Sequence, residues 1–212
     1  LAIPARKSFI ARRTPHVRAL LTLITVLSLA AMPYSTLLPV FAGEILKTDA
    51  NGLGLLMAAT GVGALTGAFL IARRGTVRGL GSYIAGTVVL YGVGLLSLAY
   101  STTLWISIPA LVAIGFGMIT SLAGTNTLLQ SLAPDELRGR VMSLYATVAL
   151  GFATFGSLLA GAGATYLGAP LTVAAGGLVT LLSAAIFWSA LPAIRRHVRE
   201  NRLLPPDELA TH

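Results

Sequence analysis

The charged residues of this chain are confined to five short clusters, and that distribution constrains the fold more than any other feature. Between the clusters lie four stretches without a single charge, at residues 19–43, 50–72, 79–134 and 141–194. Only 10% of the 212 residues are charged, whereas a soluble domain carries roughly 25%. A soluble core does not need uncharged runs of this length. The pattern therefore disfavours a disordered chain and an ordinary soluble enzyme, and it predicts a membrane protein.

The length of each uncharged stretch sets the number of membrane crossings, because a helix needs about 20 apolar residues to cross the hydrocarbon core. The two shorter stretches supply one helix each, and the two longer ones must fold back as hairpins. Small, hydroxyl-bearing or helix-breaking residues place the hairpin breaks at residues 100–103 and 161–170. The prediction is an all-α membrane protein with a cytoplasmic linker at 1–17, a transmembrane bundle at 18–192 and a cytoplasmic tail at 193–212. Its six predicted spans are about 18–41, 52–72, 80–100, 104–132, 141–162 and 170–192.

Strands are a poor alternative, because the apolar runs do not alternate with polar residues at period two.

The basic residues also indicate an orientation. With six spans both termini lie on one side, and that side holds every Lys and Arg of the chain except Lys47. Both termini are therefore predicted to be cytoplasmic. Basic residues spread over every inner loop are a topology signal, so the formal net charge of +8 predicts no nucleic-acid partner.

The first residues have the composition of a linker. The chain begins with Leu1, and its first 18 residues hold five basic side chains with no apolar core between them. That arrangement is not a signal peptide, and we expect the chain to be a fragment whose upstream part is missing. It contains no cysteine, which excludes disulfides and thiolate metal sites.

One face of the first span is polar. Within an arc of roughly 140° it presents Thr22, Thr25, Ser28, Met32, Ser35 and Thr36. Two interpretations remain open. The hydroxyls bond the carbonyls of their own helix, or the face lines a cavity.

A pair of amides, Asn126 and Gln130, lies one turn apart in the fourth span. Amides in hydrocarbon need partners, so they are expected to point inward, either to line a cavity or to join two helices. The candidates for a substrate cavity are Thr25, Ser28, Met32, Tyr34, Asn126 and Gln130.

Small residues recur every four positions in two spans, which predicts close approach of helix backbones. The two sets are Ala59, Gly63 and Gly67 in the second span, and Gly156, Ala160 and Ala164 in the fifth. We favour packing within the bundle over a homodimer face or a sliding surface.

Three prolines are predicted to bend or interrupt their helices, because each removes a backbone hydrogen bond. They are Pro33, Pro39 and Pro109.

The predicted spans contain no Asp, Glu, Lys, Arg or His, so no coupling site is visible in them. The three histidines, His16, His197 and His212, all lie in the terminal segments. The chain has neither a Gly-x-Ser-x-Gly motif nor a phosphate-binding loop. The sequence therefore predicts no enzyme, no metal site and no cofactor.

The fourth loop carries the most specific motif, LAPDELRGRVMSLY at residues 132–145. Pro134 suits the first position of a helix, and Asp135 and Glu136 suit the positive end of its dipole. A well-formed helix start explains these three residues, but it does not explain why Arg-Gly-Arg follows at 138–140.

The run Pro-x-x-x-Arg-Gly-Arg-Val-x-Ser-Leu, followed by GSLLAG at 156–161, resembles the second half of a major facilitator superfamily transporter. In particular it is similar to bacterial transmembrane secretion effectors, which include enterobactin-exporter-like proteins. The similarity extends from about Arg13 to about Leu191. It implies that the six spans are half of a twelve-helix major facilitator fold, the seventh to the twelfth helix.

The second loop, residues 67–78, resembles in part the family's Gly-x3-Asp-Arg-x-Gly-Arg-Arg motif. It departs from that motif at Ala68 and Ala72, which stand in place of the glycine and the aspartate. In the family, such loops hold the two halves together on the cytoplasmic side. The resemblance thus implies a cytoplasmic latch that comprises Arg73, Gly75, Arg78, Pro134, Arg138, Gly139 and Arg140.

The resemblance also implies a function and a location. The implied function is proton-driven export of small molecules of drug or siderophore type. The implied location is a bacterial inner membrane. Its partners would be a small-molecule substrate, the lipid bilayer and a missing N-terminal six-helix half that holds the protonatable group. The alternative is a standalone six-span channel, scaffold or membrane subunit without transport activity of its own. A reading frame that continues upstream of Leu1 into six more spans would separate the two.

Overall fold

The computed structural model describes the backbone of residues 15–77, 79–133 and 135–203. Within this part of the chain, six helices are long and apolar enough to cross a membrane. They are α1 (Val17–Ile45), α2 (Ala50–Ala72), α3 (Leu80–Ala99), α4 (Leu104–Leu132), α5 (Leu137–Leu167) and α6 (Ala169–Pro192). The predicted all-α membrane fold of six transmembrane helices is confirmed.

Several helices extend beyond the predicted spans. The helix of α1 begins at Pro15, that of α5 at Asp135, and that of α6 continues to Leu203. The chain leaves the helical conformation between α3 and α4 and again at Gly168, whose φ of +85° glycine adopts without strain. Because α1 reaches Ile45, its last turn includes the exposed Glu44, an ionisable residue that the predicted first span excluded.

Helix α1 is interrupted in its middle, as its proline content predicts. Pro33 has no N–H to give to the carbonyl of Leu29, and Met32 and Pro33 form a turn between helical segments. On both sides of this turn the helix widens into π-helical turns. The order along α1 is α-helix Pro15–Val26, π turn Leu27–Ala31, α-helix Tyr34–Val40 and π turn Phe41–Ile45.

The other two prolines behave differently from Pro33. Pro39 stays inside the segment Tyr34–Val40, directly before the second π turn. Helix α4 is continuous through Pro109, so this proline does not interrupt it. The missing hydrogen bond there is the one that the carbonyl of Trp105 would accept in the first turn of the helix.

Helix α4 packs closely against both α2 and α3, and α3 also lies against α6. The small face of α2 contacts α4, where a Cβ at Gly63 would collide with the carbonyl of Val112. Reciprocally, a Cβ at Gly115 of α4 would collide with the carbonyl of Thr60. The two backbones therefore touch, and the small residues of α2 serve packing within the bundle.

The loop between α1 and α2 is held by a capping aspartate. The side chain of Asp49 accepts a hydrogen bond of 3.0 Å from the backbone N–H of Gly52. This bond, followed by one from the amide of Asn51, lowers the pKa of Asp49 below its usual value. The cap is therefore fully present above the ordinary pKa of aspartate, and it weakens as the pH falls through the lowered pKa.

Candidate functional site

Most hydroxyls on the polar face of α1 bond the carbonyls of their own helix. Thr25 Oγ1 donates to the carbonyl of Leu21 at 2.8 Å. Further along, Ser35 and Thr36 bond carbonyls three residues earlier. For these residues the self-bonding interpretation of the polar face is correct.

Ser28 is the exception on this face. It is completely buried, and its hydroxyl donates to the main-chain carbonyl of Ala149 in α5 at 3.2 Å. Ser28 lies in the π turn Leu27–Ala31, and Ala149 lies in a third π turn, Thr147–Gly151. The bond therefore joins two helices where both depart from the α-helical pattern.

Tyr34 and Tyr91 are two buried phenols of the interior. Tyr34 is 5% exposed. Tyr91 is 1% exposed, and its hydroxyl has no hydrogen-bond partner among the described residues.

The two amides of α4 satisfy each other. Gln130 Nε2 donates to Asn126 Oδ1. Asn126 is half-buried and Gln130 is exposed. Within the described residues this pair therefore joins no second helix through its amides, and both side chains lie toward the end of α4 next to α5.

A cavity of about 200 Å³ lies between α1, α5 and α6, with Leu95 of α3 at one side. Its walls are apolar except for Tyr34 and Thr172. Of the six candidates for a substrate cavity, only Tyr34 lines it. Met32 is half-buried in the interruption of α1 and does not reach this cavity.

The latch residues of the second loop lie at the end of α2. The guanidinium of Arg73 stands 5.4 Å from the ring centroid of Phe69, one turn earlier in the same helix. Gly75 is exposed, with open space where a Cβ would stand. Arg78 lies outside the described residues.

The latch residues of the fourth loop lie at the start of α5. Arg138 Nε donates to the main-chain carbonyl of Gln130 at 3.3 Å, near the end of α4. This carbonyl belongs to the last turn of the helix, where no intrahelical donor remains. Gly139 and Arg140 are exposed, and Pro134 lies outside the described residues.

The described carboxylates lie away from these arginines. Among the side chains that the structure describes, which cover residues 17–77, 79–133 and 137–192, the acidic ones are Glu44 and Asp49. Both lie at the α1–α2 end of the bundle, opposite the loops that carry Arg73 and Arg138. Asp135 and Glu136, whose side chains the structure does not describe, lie within three residues of Arg138 in the sequence.

Two contacts at the same end were not predicted from the sequence. The guanidinium of Arg74 lies 4.4 Å from the ring centroid of Tyr83 and ties the second loop to α3. The hydroxyl of Tyr145 donates to the carbonyl of Leu122 in α4 at 2.9 Å. The only signal in the sequence was an aromatic ring near each basic loop.

Comparison with known proteins gives one family. The family model described as transmembrane secretion effector, of the MFS type, matches residues 3–211. A search of curated proteins finds no significant match.

Proposed function

The chain belongs to the transmembrane secretion effector family of the major facilitator superfamily, and from that premise we propose that it is the C-terminal half of a secondary active transporter. Its proposed action is proton-coupled export of small molecules, of drug or siderophore type, by alternating access. The observation that carries the proposal is the family match over residues 3–211 on a bundle of six membrane-length helices. We propose no catalytic activity, cofactor or nucleic-acid partner.

The interruption of α1 supports alternating access. Transporters of several folds place interrupted helices near the middle of the membrane, where two halves meet around the substrate. Here the interruption at Pro33 is accompanied by π turns in α1 and α5, and π turns are frequent at functional sites. The partner of this bundle would be the missing N-terminal six-helix half.

The proposed location is the inner membrane of a bacterium, with both termini cytoplasmic, and thiol labelling tests it. Cysteines placed at the exposed Lys47 and Thr102 should react with an impermeant reagent from outside. Gly75→Cys should react only from the cytoplasmic side, and its position has open space. Gly79 is a poorer probe, because its φ of +74° strains any side chain. Labelling on the reverse sides would contradict the topology.

The second candidate function is a standalone six-span channel, scaffold or membrane subunit. It is favoured only by the number of helices, since six spans suffice for such a protein. A reading frame that continues upstream into six further apolar spans supports the half-transporter. A start codon directly before Leu1 would support the standalone protein and would contradict the proposal.

Arg138→Lys tests the proposed cytoplasmic latch. Lysine keeps the positive charge but loses the Nε that bonds the carbonyl of Gln130 and the planar fork that binds carboxylates. We expect normal membrane insertion, transport lowered roughly fivefold or more, and increased thiol access from the cytoplasm. The basis is a charge-assisted hydrogen bond of about 1–3 kcal/mol that favours the outward-open state.

Arg18→Lys is the matched control for this substitution. Arg18 is an exposed cation at the cytoplasmic end of α1, and its replacement should leave transport and access unchanged. If Arg138→Lys behaves like Arg18→Lys, then Arg138 only marks the cytoplasmic side and the latch is wrong.

A further inference from the structure

The bond between Ser28 and Ala149 is placed where two helices are irregular. Ser28 is 0% exposed, and its hydroxyl reaches the main-chain carbonyl of Ala149 at 3.2 Å. A hydroxyl that only needed a partner could bond a carbonyl of its own helix, as Thr25 does one turn earlier. Ser28 instead bonds the π turn of a different helix.

The π turn of α1 lies in direct backbone contact with its neighbours. A Cβ at Gly156 of α5 would stand 2.6 Å from the carbonyl oxygen of Leu29 and 2.8 Å from that of Ser28. A Cβ at Gly176 of α6 would collide with the carbonyl of Ala30. The carbonyl of Leu29 has no donor from Pro33, and the two glycines allow α5 and α6 to cover the carbonyls of this turn. On the outer side of Ser28, α5 is therefore held by close packing.

On the cytoplasmic side of the π turn, α5 has a different partner. Its segment Asp135–Ala146 packs against α4, where Tyr145 bonds the carbonyl of Leu122 and Arg138 bonds that of Gln130. Its segment Phe152–Leu167 packs against α1 and α6. Helix α5 thus changes partner at its π turn.

We propose that Ser28 is a positioning residue for transport, whose bond to Ala149 holds the two segments of α5 in one relative orientation. This inference rests on the proposed function, since it assigns Ser28 to alternating access instead of to substrate contact. When the bond is broken, the cytoplasmic segment of α5 follows α4 and separates from α1. That movement opens the cytoplasmic side of the half and closes the outer side.

The test uses the native protein, expressed from its own reading frame on a cysteine-free background and placed in membrane vesicles. Two probe positions are exposed and lie on opposite segments of α5, Ser143→Cys and Thr165→Cys. We expect Ser28→Ala to raise maleimide labelling at position 143 from the cytoplasm roughly fivefold. Labelling at position 165 from outside should fall by a similar factor, because one buried hydrogen bond biases the equilibrium by about this amount.

Ser157→Ala is the matched control. Its hydroxyl is half-buried on the outer segment of α5 and bonds Ala153 of the same helix at 3.0 Å. Deleting it should leave both labelling rates unchanged. Both variants remove a single hydroxyl from a helix and are expected to insert and fold.

Opposite changes at the two probes distinguish a shift between two states from a general loosening. Labelling that rises at both probes, or that does not change at either, would overturn the positioning role of Ser28. Ser28→Ala is compared with its parent without a proton gradient. If an imposed proton gradient does not change labelling of the parent protein, the proton coupling of the proposed function is contradicted. The comparison of Ser28→Ala with its parent remains valid in that case.

Discussion

Gly63→Ala is expected to destabilise the bundle by about 3 kcal/mol or more, the upper range for overpacking in a tight core. The added methyl would collide with the carbonyl of Val112, and it would stand 2.9 Å from the backbone nitrogen of Phe116. Both are backbone atoms of α4, so no side-chain rotation relieves the overlap and the two helices must separate. Separation would also loosen the reciprocal contact of Gly115 with Thr60. The thermal midpoint of the detergent-solubilised protein should fall by roughly 10 °C.

Gly86→Ala is the control for this substitution. Gly86 lies inside α3, with no atom within 4 Å of a built Cβ. There alanine should be neutral or stabilise slightly, because it favours the helix more than glycine does. Equal midpoints for the Gly63 and Gly86 variants would contradict the tight crossing of α2 and α4.

Much of the fold could be predicted because it depends on the free energy of transferring helices into lipid. That free energy is approximately a sum over the residues of each helix. Uncharged length together with the breaks at 100–103 and 161–170 places six helices, and the loss of one N–H at Pro33 places the interruption of α1. The recurrence of Gly63 and Gly67 predicts a close helix contact without naming the partner. That partner, α4, is decided by the shapes of both surfaces, which a local pattern does not contain.

The π turns could not be predicted either, because they too depend on contacts with other helices. A π turn replaces one hydrogen-bond pattern with another of similar energy, and contacts from other helices decide between them. The turn that holds Ala149 is stabilised by a serine far away in the sequence. Among the residues of the candidate site, Ser28 was chosen as a cavity hydroxyl, yet it is fully buried in a helix contact. Composition shows which groups need partners but not where those partners lie.

The latch residues illustrate a further limit. Arg138 is recognised from its motif, and the structure places its Nε against the carbonyl of Gln130. The sequence could not supply that partner, because a helix C-terminus offers several carbonyls without intrahelical donors. Arg73 is the residue that fits the family motif, whereas the guanidinium that lies against Tyr83 is that of its neighbour Arg74.

If this chain is half of a transporter, as proposed, residues 1–212 alone should show no transport above empty vesicles. The native protein with both halves should then export substrate when a proton gradient is imposed. Proton coupling requires an ionisable group that both sides of the membrane reach in turn. The acidic side chains that the structure describes, Glu44 and Asp49, lie at one end of the bundle. Alternating access further needs a second half that closes over the substrate. The cavity of about 200 Å³ in this bundle has nearly apolar walls and no described charge, so it supplies neither requirement.

The measurement is efflux of ethidium and of a catechol siderophore from proteoliposomes that contain either the native protein or residues 1–212 alone. The native protein should give saturable efflux that an uncoupler abolishes, because the gradient supplies the free energy. The isolated chain should match empty liposomes at every substrate concentration. Inactivity has meaning only for a folded chain, so the isolated bundle must first show a cooperative thermal transition. If the folded isolated chain carries out saturable, gradient-driven efflux, then six helices suffice and the half-transporter proposal is wrong.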